Sequence, residues 1–241
     1  MGGEDADRDK SPALLVLKDV HRHYQRGPHT VRALDGVSLE VKQGEFWAVM
    51  GVSGSGKSSL LNLLGCLDRP TAGDYYLDGH NVAHLDDDAM SEVRLRKLGF
   101  VFQDFHLIPQ LSVQENIALP LFYQGVDSHE CARRARGLGE QVGLGDRLDH
   151  RPSELSGGQC QRAAIARALS NEPTIILADE PTGNLDSATS LQIMELIAGL
   201  SEQGRTIIMV THETYVAEYA SHRLILRDGR VQEAGRKAAT P

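Results

Sequence analysis

The chain has 241 residues, a length typical of one large domain or of one core that carries an inserted subdomain. Its formal net charge is −8, with 33 Asp and Glu against 25 Lys and Arg, so no basic surplus favours nucleic acid as a partner. The apolar runs are far too short for a transmembrane helix, and the acidic start is unlike a secretory signal.

The cysteines indicate the compartment. Cys66, Cys131 and Cys160 are scattered along the chain and show no C-x-x-C spacing. This pattern predicts reduced thiols in a cytosolic protein rather than disulfides or a zinc site. We therefore expect a cytosolic chain that needs a partner protein to act at a membrane.

The first predicted elements are strands. Residues 1–12 are polar and charged, and we expect them to form a flexible tail. Residues 13–20 and 37–41 are typical of strands, and residues 75–82 contain an Asp-Gly hairpin signal between two short apolar runs. This portion predicts an antiparallel β edge beside a buried strand at 46–50.

The texture of the sequence changes after a further predicted strand at 98–102. Strand signals vanish over 111–169, where helical segments at 128–142 and 157–169 predominate. We therefore predict an inserted helical subdomain over about residues 104–170.

Strands and helices alternate again in the last third of the chain. The predicted elements are strand 174–178, helix 187–200, strand 205–210, helix 213–220 and strand 223–226. Strands separated by helices predict a parallel sheet with helices on both faces. The predicted fold class is α/β, as a single domain over residues 13–234 with a flexible tail at 235–241.

A glycine-rich motif follows the predicted strand at 46–50. Residues 51–58 read Gly-Val-Ser-Gly-Ser-Gly-Lys-Ser, the G-x-x-x-x-G-K-[ST] phosphate loop, and a leucine-rich run follows it. The alternative, a chance glycine-rich turn, leaves the flanking strand and helix unexplained. We expect Lys57 to reach the β- and γ-phosphates of ATP and Ser58 to bind Mg²⁺. The residues expected at the phosphates are Gly51, Val52, Ser53, Gly54, Ser55, Gly56, Lys57, Ser58 and Ser59.

Polar residues end two later strands of the predicted sheet. Asp179 and Glu180 follow an apolar run, so Asp179 can hold Mg²⁺ while Glu180 polarises a water for attack on the γ-phosphorus. His212 follows another strand and could orient the same water. The alternatives are a chance pair of acids at a strand end and a packed or solvated histidine.

Two other polar clusters receive plainer interpretations. His21 and His23 could share one face of a strand and bind a metal ion. No third ligand is evident nearby, and zinc needs three or four, so surface histidines are the favoured interpretation. The run of aspartates at 86–88 is interpreted as a solvated helix start rather than a metal site.

A second potential anion site opens the predicted helix at 157–169. Residues 155–159, here the signature segment, read Leu-Ser-Gly-Gly-Gln, so Ser156 and the following amides are suited to bind phosphate. An ordinary serine cap with flexible glycines is the alternative. Since this helix and the phosphate loop lie in different subdomains, a second copy of the chain could supply the missing half of each site.

Taken in order, these motifs resemble those of the ATP-binding subunits of ABC transporters over about residues 14–231. The resemblance implies the ABC ATPase fold and assigns Gln103 to the glutamine loop, where it would sense Mg²⁺. It makes Asp186 the D-loop residue, His212 the switch histidine and Tyr24 the aromatic that stacks on adenine. The signature residues that would bind ATP are Ser156, Gly157, Gly158 and Gln159.

The same resemblance implies a working assembly. Two copies would form a homodimer, each closing its signature segment over ATP held by the other, at the cytoplasmic face of the inner membrane. An integral membrane permease would dock near residues 103–122. Three stretches, at 64–73, 150–154 and 178–186, look closest to the lipoprotein-releasing and macrolide-exporting branch.

The sequence departs from the family pattern at two positions, and two rival functions compete with transport. Ser59 stands where the family usually has Thr, and Cys160 replaces a polar residue after the signature segment. The motifs also suit an ABC ATPase that regulates a divisome or cell-wall hydrolase through a membrane partner. A phosphate-loop kinase or GTPase would leave the signature segment and His212 without a role.

Overall fold

Ten strands and seven α-helices lie within residues 12–237, the part of the chain that this computed structural model describes. In chain order the strands are β1 (Ala13–Arg26), β2 (His29–Lys42), β3 (Phe46–Met50), β4 (Ala72–Leu77), β5 (His80–Asn81), β6 (Leu98–Phe102), β7 (Ile175–Asp179), β8 (Thr206–Val210), β9 (His222–Arg227) and β10 (Arg230–Arg236). The α-helices are α1 (Lys57–Leu64), α2 (Asp87–Lys97), α3 (Val113–Tyr123), α4 (Ser128–Gln141), α5 (Gly157–Leu169), α6 (Ser187–Glu202) and α7 (Thr214–Ala217). Nearly all of the predicted tail at 1–12 lies outside the described residues.

The first sheet is antiparallel and has the strand order β2-β1-β4-β5. It is the predicted antiparallel edge, but β1 and β2 are both longer than expected. The first four residues of β2 are exposed, so no apolar alternation marks them in the sequence. Pairing with β1 nevertheless continues to the end of the ribbon, where Arg26 faces His29.

The second sheet has the strand order β10-β9-β3-β8-β7-β6, and its strands from β9 to β6 are parallel. Val49 and Asp179 both pair with Val210, so β3, β7 and β8 end level with one another. Ligand-binding groups of parallel α/β sheets lie at this carboxyl edge. The α/β fold class predicted from the sequence is therefore confirmed.

The end of the domain differs from the prediction. Residues 223–226 are not the last strand, because an Asp228-Gly229 turn leads into β10, which pairs antiparallel with β9. Both turn residues have positive φ angles, as a tight hairpin turn requires. The predicted tail at 235–241 is wrong for its first two residues, which belong to β10; the exposed pattern of that strand gave no apolar signal.

Only the start of α2 was predicted, and α3 was not predicted, although local signals for both helices exist. Asp86 caps α2 by accepting a hydrogen bond from the amide of Ala89, so the aspartate run is a helix start as interpreted. Ser112 and Glu115 form a reciprocal capping box at the start of α3. The missed signal was this Ser-x-x-Glu spacing ahead of an apolar run.

Three clusters of buried apolar side chains hold the elements together. The largest joins the two sheets and α1, the second packs α5 and α6 on the opposite face of the parallel sheet, and the third joins α3, α4 and α5. The third cluster gives the helical segment its own core, in the region predicted as an inserted subdomain. Across residues 12–237, none of the helices combines the length and apolar character of a membrane span.

Candidate active site

The phosphate loop connects β3 to α1, and glycine is required at both of its ends. A Cβ atom on Gly51 would lie 2.3 Å from the carbonyl oxygen of Leu226. Gly56 has a φ of +107°, and a Cβ there would lie 2.4 Å from the carbonyl oxygen of Ala33. The close approach of neighbouring backbone therefore fixes the turn that wraps the loop around the start of α1.

Lys57 lies beneath this loop and is only 9% exposed. Its ammonium donates to the carbonyl oxygens of Gly51 and Val52, at 2.8 and 2.9 Å. Both acceptors are neutral, so the charge of the ammonium is not matched by either of them. An anion above the loop would match it.

Two further features of the loop suit a phosphate group. The Ser55 hydroxyl is buried without a hydrogen-bond partner among the described residues. Gly56 is the N-cap of α1, so no side chain caps the first amides of that helix. Because uncapped amides at a helix start attract anions, these groups fit the chain of phosphates in ATP. The loop residues that face solvent above them are Val52, Ser53, Gly54 and Ser58, with Ser59 partly covered.

Asp179 ends β7 on the same edge of the sheet. Burial raises the pKa of this carboxyl group, the charge of Glu180 adds to that effect, and Lys57 opposes it. Asp179 therefore interacts electrostatically with both Glu180 and Lys57. A divalent cation would offset the two negative charges, which makes Asp179 a fitting metal ligand.

Glu180 and His212 are brought together, as their positions in the sequence suggested. His212 Nδ1 lies 3.0 Å from Glu180 Oε1, and the imidazole is 62% exposed. With Glu180 ionised, Nδ1 carries the proton and donates to the carboxylate. Glu180 also has a left-handed φ of +43°, a conformation that costs non-glycine residues of order 1–3 kcal/mol and is concentrated at functional sites.

Gln103 follows β6, and its side chain is hydrogen-bonded to another side chain of the protein. Its Nε2 donates to Asn184 Oδ1 at 3.1 Å, and Asn184 Nδ2 donates to Asp104 Oδ1 at 2.7 Å. A Cβ on Gly183 would lie 2.8 Å from Gln103 Nε2. Asn184, to which sequence reasoning gave no role, thus connects the glutamine loop to the D-loop.

Asp186 caps α6 within its own chain. It accepts hydrogen bonds from the amides of Ala188 and Thr189, each at 3.1 Å, and from the Thr189 hydroxyl at 2.6 Å. The Thr189 hydroxyl is the main reason that the pKa of Asp186 lies below its usual value. The predicted contact of Asp186 with nucleotide stays a prediction.

The signature segment is packed against the D-loop and the start of α6. A Cβ on Gly157 would lie 3.2 Å from Leu185, and one on Gly158 would lie 2.4 Å from the Thr189 methyl group. Ser156 Oγ accepts from the amide of Gln159, whose side chain accepts from the amide of Ser156. The glycines thus permit close packing while Ser156 caps its own helix.

Gln161, one turn into α5, is a connection that sequence reasoning missed. Its side chain is fully buried, and Nε2 donates to the carbonyl oxygen of Pro181 at 2.6 Å. The bond ties the signature helix to the segment that carries Glu180. A polar residue on an otherwise apolar helix face was the available signal.

Tyr24 on β1 is held by Arg22 of the same strand and by Asp68, which follows α1. Its hydroxyl donates to Asp68 Oδ2 at 2.7 Å, and the Arg22 guanidinium lies 4.5 Å from the ring centroid. Arg22 itself donates to Asp68 from Nε and Nη2, both at 2.7 Å. These contacts fix the ring, and the Arg22 guanidinium lies over one of its faces. Stacking of the ring on adenine stays a prediction.

Comparison with known proteins places this geometry in context. A profile of the ABC transporter family matches residues 34–183. An uncharacterised ABC transporter ATP-binding protein of Thermotoga maritima is 50% identical over 224 residues, which are 93% of this chain and 96% of that protein. The macrolide export ATP-binding/permease protein MacB of Hyphomonas neptunium is 49% identical over 95% of this chain, but the match spans only 36% of MacB.

A solved structure shares both the fold and much of the sequence. It is a dimeric, post-hydrolysis state of the ATP-binding cassette MJ0796 bound to ADP and Pi. The TM-score is 0.86 at 44% identity, covering 94% of this chain and 100% of that one. A second dimeric structure of the same cassette, described as a bacterial ABC transporter cassette, matches equally well.

Proposed function

The chain belongs to the ABC transporter family as an ATP-hydrolysing cassette, and we propose that two identical copies pair head to tail around two ATP molecules to drive a membrane subunit. The observation that carries this proposal is that the two anion-suited helix starts have different surroundings within one chain. The phosphate loop contacts Ala33 and Leu226, whereas the signature segment packs against Leu185 and Thr189. A second copy supplies the half that each site lacks.

Within each site, the phosphate loop binds the phosphates and Lys57 contributes the positive charge. Ser58, Asp179 and Gln103 would hold Mg²⁺, which would supply positive charge to offset that of the phosphates. Gln103 would leave Asn184 to reach it. Glu180 accepts a proton from the attacking water, and His212, held by Glu180, positions that water near the γ-phosphate.

The remaining residues bind the adenine base and complete the site of the partner copy. Tyr24 stacks on the adenine base through the ring face that Arg22 does not cover. The partner copy contributes its signature segment, and Asp186 lies near the partner's nucleotide. The signature residues proposed to close over the γ-phosphate are Ser156, Gly157, Gly158 and Gln159.

The membrane subunit is proposed to dock on the helical segment near residues 103–122. Phe122 is 68% exposed there, although it is a large aromatic side chain, and Ile108 is also exposed. The MacB relative is named as both ATP-binding protein and permease, and this chain matches about a third of it. We propose a peripheral position at the cytoplasmic face of the inner membrane and export or extraction of a lipoprotein, macrolide or similar amphiphile.

Light scattering on two variants tests the shared site directly. Glu180→Gln removes the carboxylate that activates water, so MgATP should hold this variant as a dimer. Adding Ser156→Arg should return it to a monomer that still binds ATP, because the arginine lies at the partner's nucleotide and not at its own. A double variant that remains dimeric, or a Glu180→Gln variant that stays monomeric with MgATP bound, contradicts the head-to-tail arrangement.

A further inference from the structure

The antiparallel sheet brings together two histidines and an aspartate, none of which has a role in the proposed nucleotide site. His21 and His23 lie two residues apart on β1, and Asp35 on β2 is the direct cross-strand partner of His21. The ring centroids of the two histidines are 5.7 Å apart. Asp35 is thus the third side chain that could not be identified next to the histidines from the sequence.

From this arrangement we infer that His21, His23 and Asp35 bind a transition-metal ion of the Zn²⁺ type. Asp35 Oδ1 lies 3.2 Å from His21 Nδ1 and 3.7 Å from His23 Nε2. The three ligand atoms all lie within 4.8 Å of one another. Tetrahedral zinc, with bonds of about 2.0–2.1 Å, needs ligand atoms about 3.3 Å apart, so small side-chain rotations complete the triangle.

Hydrogen bonding around His21 presents the correct nitrogen to a metal. His21 Nε2 lies 3.3 Å from Asp19 Oδ1, which can accept the proton on that nitrogen. With that proton on Nε2, Nδ1 is the unprotonated nitrogen and lies 3.2 Å from Asp35 Oδ1; in the other tautomer, Nδ1 donates a hydrogen bond to this oxygen. A carboxylate that orients a metal-bound histidine in this way is a common outer partner of zinc sites. A cation bound by Nδ1 and Oδ1 would take the place of the proton that otherwise joins these two atoms.

His23 supplies independent support from the other side of the cluster. Its Nε2 atom is buried and has no hydrogen-bond partner among the described residues. Polar atoms withdrawn from water are normally paired, so this nitrogen calls for an explanation. Of the charged groups nearby, Asp35 Oδ1 is the ion-pairing contact of this nitrogen, at 3.7 Å. A metal ion shared with Asp35 uses its lone pair.

The arginines around Asp35 leave one of its oxygens for the metal. Arg230 donates to Oδ2 from Nη2 at 2.7 Å and from Nε at 3.2 Å, and Arg32 Nη1 lies 3.9 Å from the same oxygen. These guanidinium groups hold the carboxylate in place and lower its pKa, with burial acting in the opposite direction. Their positive charge also weakens cation binding, so we expect moderate affinity rather than that of a closed structural zinc site.

The ligand set selects the class of metal. Two imidazole nitrogens and one carboxylate oxygen suit Zn²⁺, Co²⁺ or Ni²⁺ and leave a position for water, whereas Mg²⁺ prefers oxygen ligands. The site is therefore chemically distinct from that of the Mg²⁺ that accompanies ATP. It also touches the nucleotide site, because the Asp35 amide donates to Gly229 O and the Gly229 amide donates to Ser55 O of the phosphate loop.

Titration of the full, untagged chain with Zn²⁺ in excess Mg²⁺ tests the proposal. Calorimetry should show one equivalent bound, and Co²⁺ in place of Zn²⁺ should give the visible absorption of a low-coordinate nitrogen site. His23→Gln and Asp35→Asn should each weaken Zn²⁺ binding by more than about 10²-fold, the upper range for loss of an outer partner. The matched control His129→Gln, at an exposed position of α4, should bind Zn²⁺ as wild type does.

A second measurement on the wild-type chain avoids any dependence on variants. Bound Zn²⁺ should protect His21 and His23 from diethyl pyrocarbonate, while His129 continues to react, as read by peptide mass spectrometry. Unchanged MgATP affinity in the two ligand variants shows that they are folded. The proposal is overturned if wild type takes up no zinc, if both variants keep the full equivalent, or if His21 and His23 react equally with and without the metal.

Discussion

The starts of helices α1 and α5 are both suited to anions, yet they are completed differently. The start of α1 has a glycine N-cap in the left-handed conformation and no side-chain cap, with buried Lys57 beneath it. The start of α5 has Ser156 as its cap, and the Ser156 amide donates a reciprocal hydrogen bond to Gln159 Oε1. The first amides of α1 are open to a ligand, whereas those of α5 are partly satisfied by their own chain.

This difference supports the proposed division of each site between two copies. In the proposed site, ATP completes the α1 start, where the Ser55 hydroxyl has no hydrogen-bond partner among the described residues and Lys57 donates to neutral carbonyl oxygens. The α5 start is stable without ligand, and its capping bond uses Ser156 Oγ as an acceptor. The Ser156 O–H remains able to donate to a phosphate presented by another molecule.

The largest effect that tests this division is expected from Ser156→Arg. An arginine side chain in front of α5 should abolish hydrolysis, because it blocks the partner's ATP, while the α1 start of the same chain still binds ATP. Phosphate release and nucleotide affinity would be measured in parallel. Ser128→Arg, at the exposed start of α4, is the matched control and should hydrolyse ATP normally. If Ser156→Arg loses ATP binding while Ser128→Arg keeps it, both helix starts contact one nucleotide within one chain.

Glu180→Gln should give the next largest loss of hydrolysis. With ATP bound but not hydrolysed, the α1 start of one copy should stay paired with the α5 start of the other. General-base assistance is typically worth about 10²–10⁴ in rate, so steady-state turnover should fall by that factor with ATP affinity retained. The glutamine can still accept a hydrogen bond from His212, which preserves the local contact. Glu213→Gln, on a nearby carboxylate that accepts from Thr182, is the control. Turnover close to the wild-type rate would remove Glu180 from the reaction.

Tyr24→Ala tests how much of the binding lies outside the α1 start. A base stacked on an aromatic side chain contributes about 1–3 kcal/mol, so the Kd for ATP should rise about 5- to 150-fold. Tyr24→Phe keeps the ring and loses only the bond to Asp68, and it should bind nearly as tightly as wild type. Equal affinities for all three proteins would mean that phosphate contacts alone hold the nucleotide.

How far the sequence predicts these regions depends on whether the signal is local. The phosphate loop and the ends of β7 and β8 were predicted because each motif is contiguous and follows an apolar run. The bond from Gln161 to Pro181 and the cluster of His21 with Asp35 join residues 20 and 14 positions apart, so a local pattern can at most mark one residue and does not identify its partner. β10 is mostly exposed and carries no apolar alternation, which is why its last residues were assigned to a tail.

The smallest effect separates stability from ligand binding at the two helix starts. Ser156→Ala removes the cap of α5 and should lower the free energy of unfolding by about 1 kcal/mol in urea titrations without nucleotide. Ser128→Ala, next to the true cap Asp127, should change it little. MgATP binds at α1 of the same chain, so at protein concentrations that keep the chain monomeric it should stabilise Ser156→Ala and wild type by the same increment. A smaller increment for Ser156→Ala would show that the α5 start contacts ATP in its own chain. Both helix starts would then bind the same ATP molecule, and the site would need no partner copy.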